Sequence, residues 1–167
     1  KVPRANRLGG ASGHDFERIL ASMRVANAAA AVGVARAAFE YARDYAKERE
    51  AFGVKIAQKQ AIAFMLAEMG TEIEAMRLLT WEAAWKLDTG KDDAFIEAYL
   101  ASTGAADMAM MVTDRAVQIL GGYGYMKDYP VEKMMRDAKI TQIYEGTNQV
   151  IRNVIGLAIV KEFARHA

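Results

Sequence analysis

Glu145 lies in Ile143-Tyr144-Glu145-Gly146-Thr147-Asn148-Gln149, between an aromatic ring and a glycine and just ahead of an apolar run with helical spacing. A carboxylate mounted on a turn that feeds a helix N-terminus projects from a fixed point beside unpaired backbone N–H groups, which is what a general base requires. Gly146 lets the chain pass close to a ligand. The same placement has a structural use, because an acid there complements the positive end of the helix dipole. This segment by itself leaves both readings open, and the structural one is the commoner.

Three further segments carry residue types suited to a ligand. In Arg49-Glu50-Ala51-Phe52-Gly53, the guanidinium is a fork of donors matched to phosphate or pyrophosphate, and Phe52 is a flat surface for a ring. A helix that ends on an arginine and a glycine explains the same residues without a ligand. In Gln118-Ile119-Leu120-Gly121-Gly122, paired glycines expose backbone amides and permit close approach. Gly122-Tyr123-Gly124 is not a Rossmann fingerprint, since the third glycine is missing and the segment follows a helix pattern rather than a strand. Thr147 and Gln149 either cap the last helix or bond an anion at its N-terminus. Arg136, Asp137 and Lys139 are expected to form local ion pairs.

Composition bounds the rest. The 167 residues are 53% hydrophobic, with 22 basic against 21 acidic residues, so a single globular domain with a core is expected and no global charge recruits nucleic acid or an anionic membrane. Without cysteine, disulfides, thiolate metal sites and cysteine nucleophiles are excluded. His14 and His166 lie near the ends in no metal-ligand spacing and read as surface residues, so no metal site is expected. No uninterrupted apolar run approaches the ~20 residues of a membrane span. A soluble protein without membrane insertion is expected, placed in the cytosol, with the mitochondrial matrix as the alternative.

The elements that must position these residues read as all-α. Only Pro3 and Pro130 interrupt long alanine-, leucine- and methionine-rich stretches. Residues 1–15 form an irregular lead-in with Gly9, Gly10 and Gly13, ending in Ser12-Gly13-His14-Asp15, which has the form of a capping box. A long helix is predicted from Phe16 to Glu48. A second carries Ile62, Met65, Leu66, Met69, Ile73, Met76, Leu79, Ala83 and Leu87 on one face and stops at Asp88-Thr89-Gly90. A third, capped by Asp92 or Asp93, presents Phe95, Ala98, Ala105, Ala109, Val112, Ala116 and Ile119 and ends at Gly121. Pro130 opens a short helix to about Ala138, and a last helix starts near Thr147 with a broad apolar stripe that predicts burial on more than one side. No strand pattern is convincing. The prediction is an up-down bundle of four main helices plus a short fifth.

Taken together and in order, Arg49-Glu50-Ala51-Phe52-Gly53, Gln118-Ile119-Leu120-Gly121-Gly122-Tyr123-Gly124-Tyr125, Arg136-Asp137-Ala138-Lys139-Ile140 and Ile143-Tyr144-Glu145-Gly146-Thr147 resemble the C-terminal helical domain of acyl-CoA dehydrogenases over nearly the whole chain. The resemblance implies that residues 16–167 are that domain and that the N-terminal helical and middle β domains of a full-length member are absent. It implies FAD as cofactor, an acyl-CoA thioester as substrate, trans-2-enoyl-CoA as product, an electron-transfer flavoprotein as acceptor and a homotetramer or dimer. Arg49, Phe52, Gln60, Gln118, Ile119, Leu120, Gly121 and Gly122 would contact FAD, some of them in a neighbouring subunit, and Thr147 and Gln149 its phosphate and adenosine region. Glu145 would be the base that takes the α-proton, with Arg24, Tyr144 and Gly146 near the substrate.

One branch of the family, including isovaleryl-CoA dehydrogenases, carries its base just before the arginine that corresponds to Arg24. Here that position is Met23, which takes no proton, so the resemblance points to Glu145. Ala51 and Lys59 depart from the threonine and histidine found in relatives and weaken those individual flavin contacts. Two other functions fit the same residues: an acyl-CoA oxidase-like flavoenzyme that passes electrons to oxygen, and a catalytically silent bundle for assembly. The chain alone is expected to be inactive, since most of the flavin cradle would lie elsewhere.

Overall fold

The computed structural model describes residues 1–9 and 13–166, with side chains as far as Lys161. The predicted helices are present: α1 Phe16–Glu48, α2 Gln60–Asp88, α3 Ala94–Leu120, α4 Val131–Thr141 and α5 Asn148–His166. The domain is an all-α bundle. Its core is the seam between α1 and α3, to which α2 adds a third wall and α4 a cover.

Alanine makes that seam. Ala28, Ala31, Ala35, Ala38, Ala42 and Ala46 of α1 and Ala98, Ala101, Ala105, Ala109 and Ala116 of α3 are all buried. Alanine favours the helix and gives up no side-chain rotamer freedom on burial. Methyl groups are the side chains that permit close approach of two helix axes. Larger side chains, Met69, Ile73, Met108 and Val112, fill the space toward α2. By length and composition α1 would satisfy a membrane-span criterion; its apolar content is largely this alanine face.

The helix ends depart from expectation in instructive ways. Ser12, in the expected capping box, lies outside the described residues, as does the side chain of His166. Asp15 itself caps α1, its carboxylate accepting from the Arg18 N–H at 3.0 Å. Neither Asp92 nor Asp93 caps α3 through its side chain. Asp93 instead accepts from Lys86 Nζ at 2.7 Å, and Glu97 takes the same ammonium at 2.7 Å, which fastens the end of α2 to the start of α3. These bonds hold the Lys86 pKa well above its ordinary value. Between them Gly90, at φ 65°, forms a Schellman stop, with Lys91 N–H on the Lys86 carbonyl and Gly90 N–H on that of Leu87.

A two-residue hairpin, β1 Glu50–Ala51 and β2 Val54–Lys55, joins α1 to α2. Its tip, Phe52 and Gly53, has φ of 56° and 77°, the positive values of a type I′ turn. Strands this short contain no readable alternation, which is why no strand was expected. On α4, Arg136 pairs with Glu132 and Lys133 with Asp137, while Lys139 bonds the Gln142 amide. Of the three residues expected in local ion pairs, Arg136 and Asp137 therefore form them, whereas Lys139 bonds a neutral side chain. The α5 stripe is divided: Ile151 and Ile155 are buried against the bundle, whereas Val150, Val154, Leu157, Ile159 and Val160 face outward.

After α3, Gly121 at φ 62° turns the chain into a 3-10 segment, Gly121–Tyr125, that folds back over its own helix. A Cβ on Gly124 would come within 2.5 Å of the Val117 carbonyl oxygen and 3.0 Å of Leu120 Cβ. Both obstacles belong to a packed helix. Gly124→Ala is therefore expected to cost ~1–3 kcal/mol as an overpacking substitution, read as a lower unfolding midpoint; an unchanged midpoint would show that the segment yields freely.

Candidate active site

The turn that carries Glu145 is fastened at both ends to one carboxylate. Asp107, in the middle of α3, accepts from Gln142 Nε2 at 2.7 Å and from Asn148 Nδ2 at 2.8 Å on one oxygen, and pairs with Arg152 through the other. Asn148 is buried, and its N–H reaches back to the Gln142 carbonyl at 3.0 Å, closing the loop. Thr147 caps α5, its hydroxyl accepting from Val150 N–H at 3.4 Å and its carbonyl from Ile151 N–H at 3.0 Å. Sequence reading missed Asp107, because an aspartate within a helix most often faces solvent; only the fold brings residues from two helices and a turn to it.

Within the turn Glu145 adopts φ 56°, a left-handed conformation that costs a non-glycine residue ~1–3 kcal/mol and persists only where its surroundings impose it. The imposing group is Arg24 on α1, whose Nη2 donates to the Glu145 carbonyl at 2.6 Å. Arg24 is only 4% exposed, and its guanidinium stacks on Tyr99, 4.5 Å from the ring centre. Its Nε and Nη1 have no hydrogen-bond partner among the described residues. Gly146 follows at φ 108°, and a Cβ there would lie 3.2 Å from Arg24 Nη2, so glycine leaves room for the arginine as well as for the turn.

The Tyr144 phenol donates to the Asn27 side-chain carbonyl, again on α1. Burial, and then the neighbouring Glu145 charge, push its pKa above the usual tyrosine value, so at neutral pH it remains a donor. The Glu145 side chain is exposed. No hydrogen bond among the described residues uses the Glu145 N–H. The turn thus presents a free carboxylate and a free amide donor on one rigid residue.

A second site lies at the far end of α1. Arg49, Tyr45, Ala51, Ile56, Ile119, Leu120, Gly121, Gly122, Tyr123 and Met126 line an open groove of about 510 Å³. Four of the expected flavin contacts, Ile119 to Gly122, meet Arg49 here. The Arg49 guanidinium lies 5.4 Å from the Tyr123 ring centre, and Tyr123 in turn packs on Tyr129. Gly121 and Gly122 have nothing within 4 Å of an added Cβ, so their backbone is open to a ligand. Burial in this aromatic wall raises the Tyr45 pKa.

The remaining expected contacts stand around the groove rather than in its lining. Phe52 projects from the hairpin tip, 94% exposed, with Lys59 Nζ 5.6 Å from its ring centre. Gln60 opens α2, Gln118 sits on the last turn of α3, and Gln149 on the first turn of α5, all exposed. The Glu145 turn and the groove are not one cavity in a single chain: Arg24 lies on α1 and Arg49 is the residue that follows its last turn, 25 residues on, a rise of about 37 Å at 1.5 Å per residue.

Comparison with known proteins assigns the class. Residues 14–160 match the family model described as acyl-CoA dehydrogenase, C-terminal domain. The chain belongs to the acyl-CoA dehydrogenase family and comprises its C-terminal helical domain. It is 49% identical to an acyl-CoA dehydrogenase of Bacillus subtilis strain 168, with 93% of this chain and 41% of the relative covered. Against the cyclohex-1-ene-1-carbonyl-CoA dehydrogenase of Geobacter metallireducens the identity is 47%, over 96% of this chain and 43% of the relative. The butyryl-CoA dehydrogenase structure from Megasphaera elsdenii superposes with a TM-score of 0.85 at 47% identity, covering 90% of this chain and 40% of that one. A chain from the structural work on the electron transferring flavoprotein of Acidaminococcus fermentans superposes with a TM-score of 0.82 at 51% identity, over 84% and 37%. The chain therefore spans about two fifths of the length of the relatives it matches.

Arg24→Met keeps the aliphatic stem and removes the donor to Glu145. A hydrogen bond from a charged group is worth ~1.5–3 kcal/mol, so exchange of the Asn148 N–H, which closes the turn on the Gln142 carbonyl, is expected to accelerate at least ~10-fold. Unchanged protection would show that Arg24 does not hold the turn.

Proposed function

We propose that the full-length protein carrying this chain oxidises an acyl-CoA thioester to the trans-2-enoyl-CoA, with Glu145 as the base that removes the α-proton. The observation that carries this reading is the pairing, on one strained and anchored residue, of an exposed carboxylate with an unused N–H. An α-C–H beside a thioester is a weak acid, so its removal depends on stabilising the enolate oxygen as charge develops. The Glu145 N–H is the donor this chain offers for that oxygen. Its carboxylate takes the proton while its own backbone carbonyl stays bound to Arg24, which keeps base and donor in one geometry. An acyl chain that displaces water from around the carboxylate raises its pKa toward that of a working base.

FAD is the cofactor we assign, and the groove suits it: a fixed cation, an aromatic wall and an open glycine backbone for a phosphate-bearing, ring-bearing ligand. When bound, FAD would supply the two-electron oxidant that the loss of the β-hydrogen requires. Arg49 and the Ile119 to Gly122 backbone would hold one part of it, with Phe52, Gln60 and Gln118 at the margin. Thr147 and Gln149, beside the base, would hold another. Because the two groups lie at opposite ends of α1, we assign them to flavins of two different subunits, in a homotetramer or dimer. Arg24, buried behind the turn, acts on substrate through Glu145, while Tyr144 and Gly146 flank the acyl group. An electron-transfer flavoprotein is the proposed acceptor, supported by the likeness to the chain from the Acidaminococcus work.

In full-length protein, Glu145→Gln is expected to retain FAD and acyl-CoA binding and to lose anaerobic flavin bleaching by at least ~100-fold, the lower range for general acid–base catalysis. Bleaching at the parent rate would overturn the assignment.

A further inference from the structure

We propose that Asn27 is a positioning residue for the Glu145 base: by accepting the Tyr144 phenol it fixes the N-terminal flank of the base as Arg24 fixes the C-terminal one. The proposal rests on the reading of Glu145 as base. Among the described residues, the buried face of α1 is made of alanine and one valine apart from two polar side chains, Arg24 and Asn27. They are three residues apart and therefore on one side of the helix. Both are spent on the same turn. Arg24 reaches the Glu145 carbonyl across 121 residues of sequence and Asn27 the Tyr144 hydroxyl across 117.

Burying an amide on an apolar face costs free energy unless it is bonded, and Asn27 is 7% exposed. An alanine would suit the seam better, as it does at Ala28 and Ala31 next to it. What the asparagine adds is an acceptor aimed at the residue before the base. Without it the flank of Glu145 is held by the Tyr144 N–H bond to the Ile140 carbonyl, 3.1 Å long and just past the end of α4. With it, the two residues on which the direction of the carboxylate depends are tied to one rigid helix. Asn27 is buried behind the tyrosine, so its effect on the reaction passes through Tyr144 to Glu145.

The test uses full-length, FAD-loaded protein and butyryl-CoA under anaerobic conditions, reading the limiting rate of flavin bleaching and the half-saturating substrate concentration for Tyr144→Phe, Asn27→Leu and the double variant. One net hydrogen bond is worth ~1 kcal/mol, so each single variant is expected to slow the limiting rate ~5–10-fold. Half-saturation and FAD content should be little changed, and the double variant should be no slower than the worse single one. Tyr144→Phe keeps the ring and guards against misfolding of the asparagine variant. A limiting rate at the parent value in Tyr144→Phe, or a double variant slowed by the product of the two, overturns the clamp. Glu145→Gln is measured alongside. If it bleaches like the parent, the base reading falls and the clamp with it; if it is silent while Tyr144→Phe bleaches at the parent rate, the clamp alone falls.

Discussion

The contact of α1 with α3 through methyl groups governs most of what the domain does. Alanine at nearly every facing position permits close approach of the two axes, and polar side chains of both helices reach the segment that follows α4. Asp107, on α3, meets groups from both sides of the Glu145 turn. Arg24 stacks on Tyr99 and also reaches the Glu145 carbonyl. Bulky residues at this interface would separate the parts that hold the Glu145 turn. Larger hydrophobics, Met69, Ile73, Met108 and Val112, fill the space toward α2 instead.

The two candidate sites use contrasting physics. The Glu145 turn is over-determined: a left-handed residue, a glycine that makes room, a buried arginine with no carboxylate partner among the described residues and a shared aspartate leave little freedom. Such a residue gains direction at the expense of local strain. The groove at the other end is open and shallow, its walls furnished with rings and its floor with bare backbone. It has the character of one half of a binding site, and the length of the relatives shows that more chain belongs to proteins of this family.

The helices were legible because their signals are long and redundant. Ala98, Ala105, Ala109, Val112, Ala116 and Ile119 form the predicted face of α3, and the first helix ends where Arg49 and Gly53 announce it. The hairpin was not legible, because Phe52-Gly53 forms a type I′ turn without the usual Asn-Gly or Asp-Gly signature and its strands are two residues long. Asp93 and Lys86 show a second limit: a side chain able to cap a helix also pairs with a lysine, and only the fold decides which. Of the site, Glu145, Arg24, Arg49 and the Gly121–Gly122 pair were visible as residue types. Asn27, Tyr99 and Asp107 were not, since each acquires meaning from a partner far away in sequence.

α1 runs unbroken from Phe16 to Glu48 and bears Arg24 near one end, with Arg49 just beyond the other. It therefore works as a gauge block whose length is counted in residues. Inserting or deleting one residue between these positions would slide the arginines by about 1.5 Å relative to one another and turn one about the axis by roughly 100° against the other. No side-chain repacking absorbs a rotation of that size, so under the proposed assignment the number of residues separating the arginines matters as much as the identity of either.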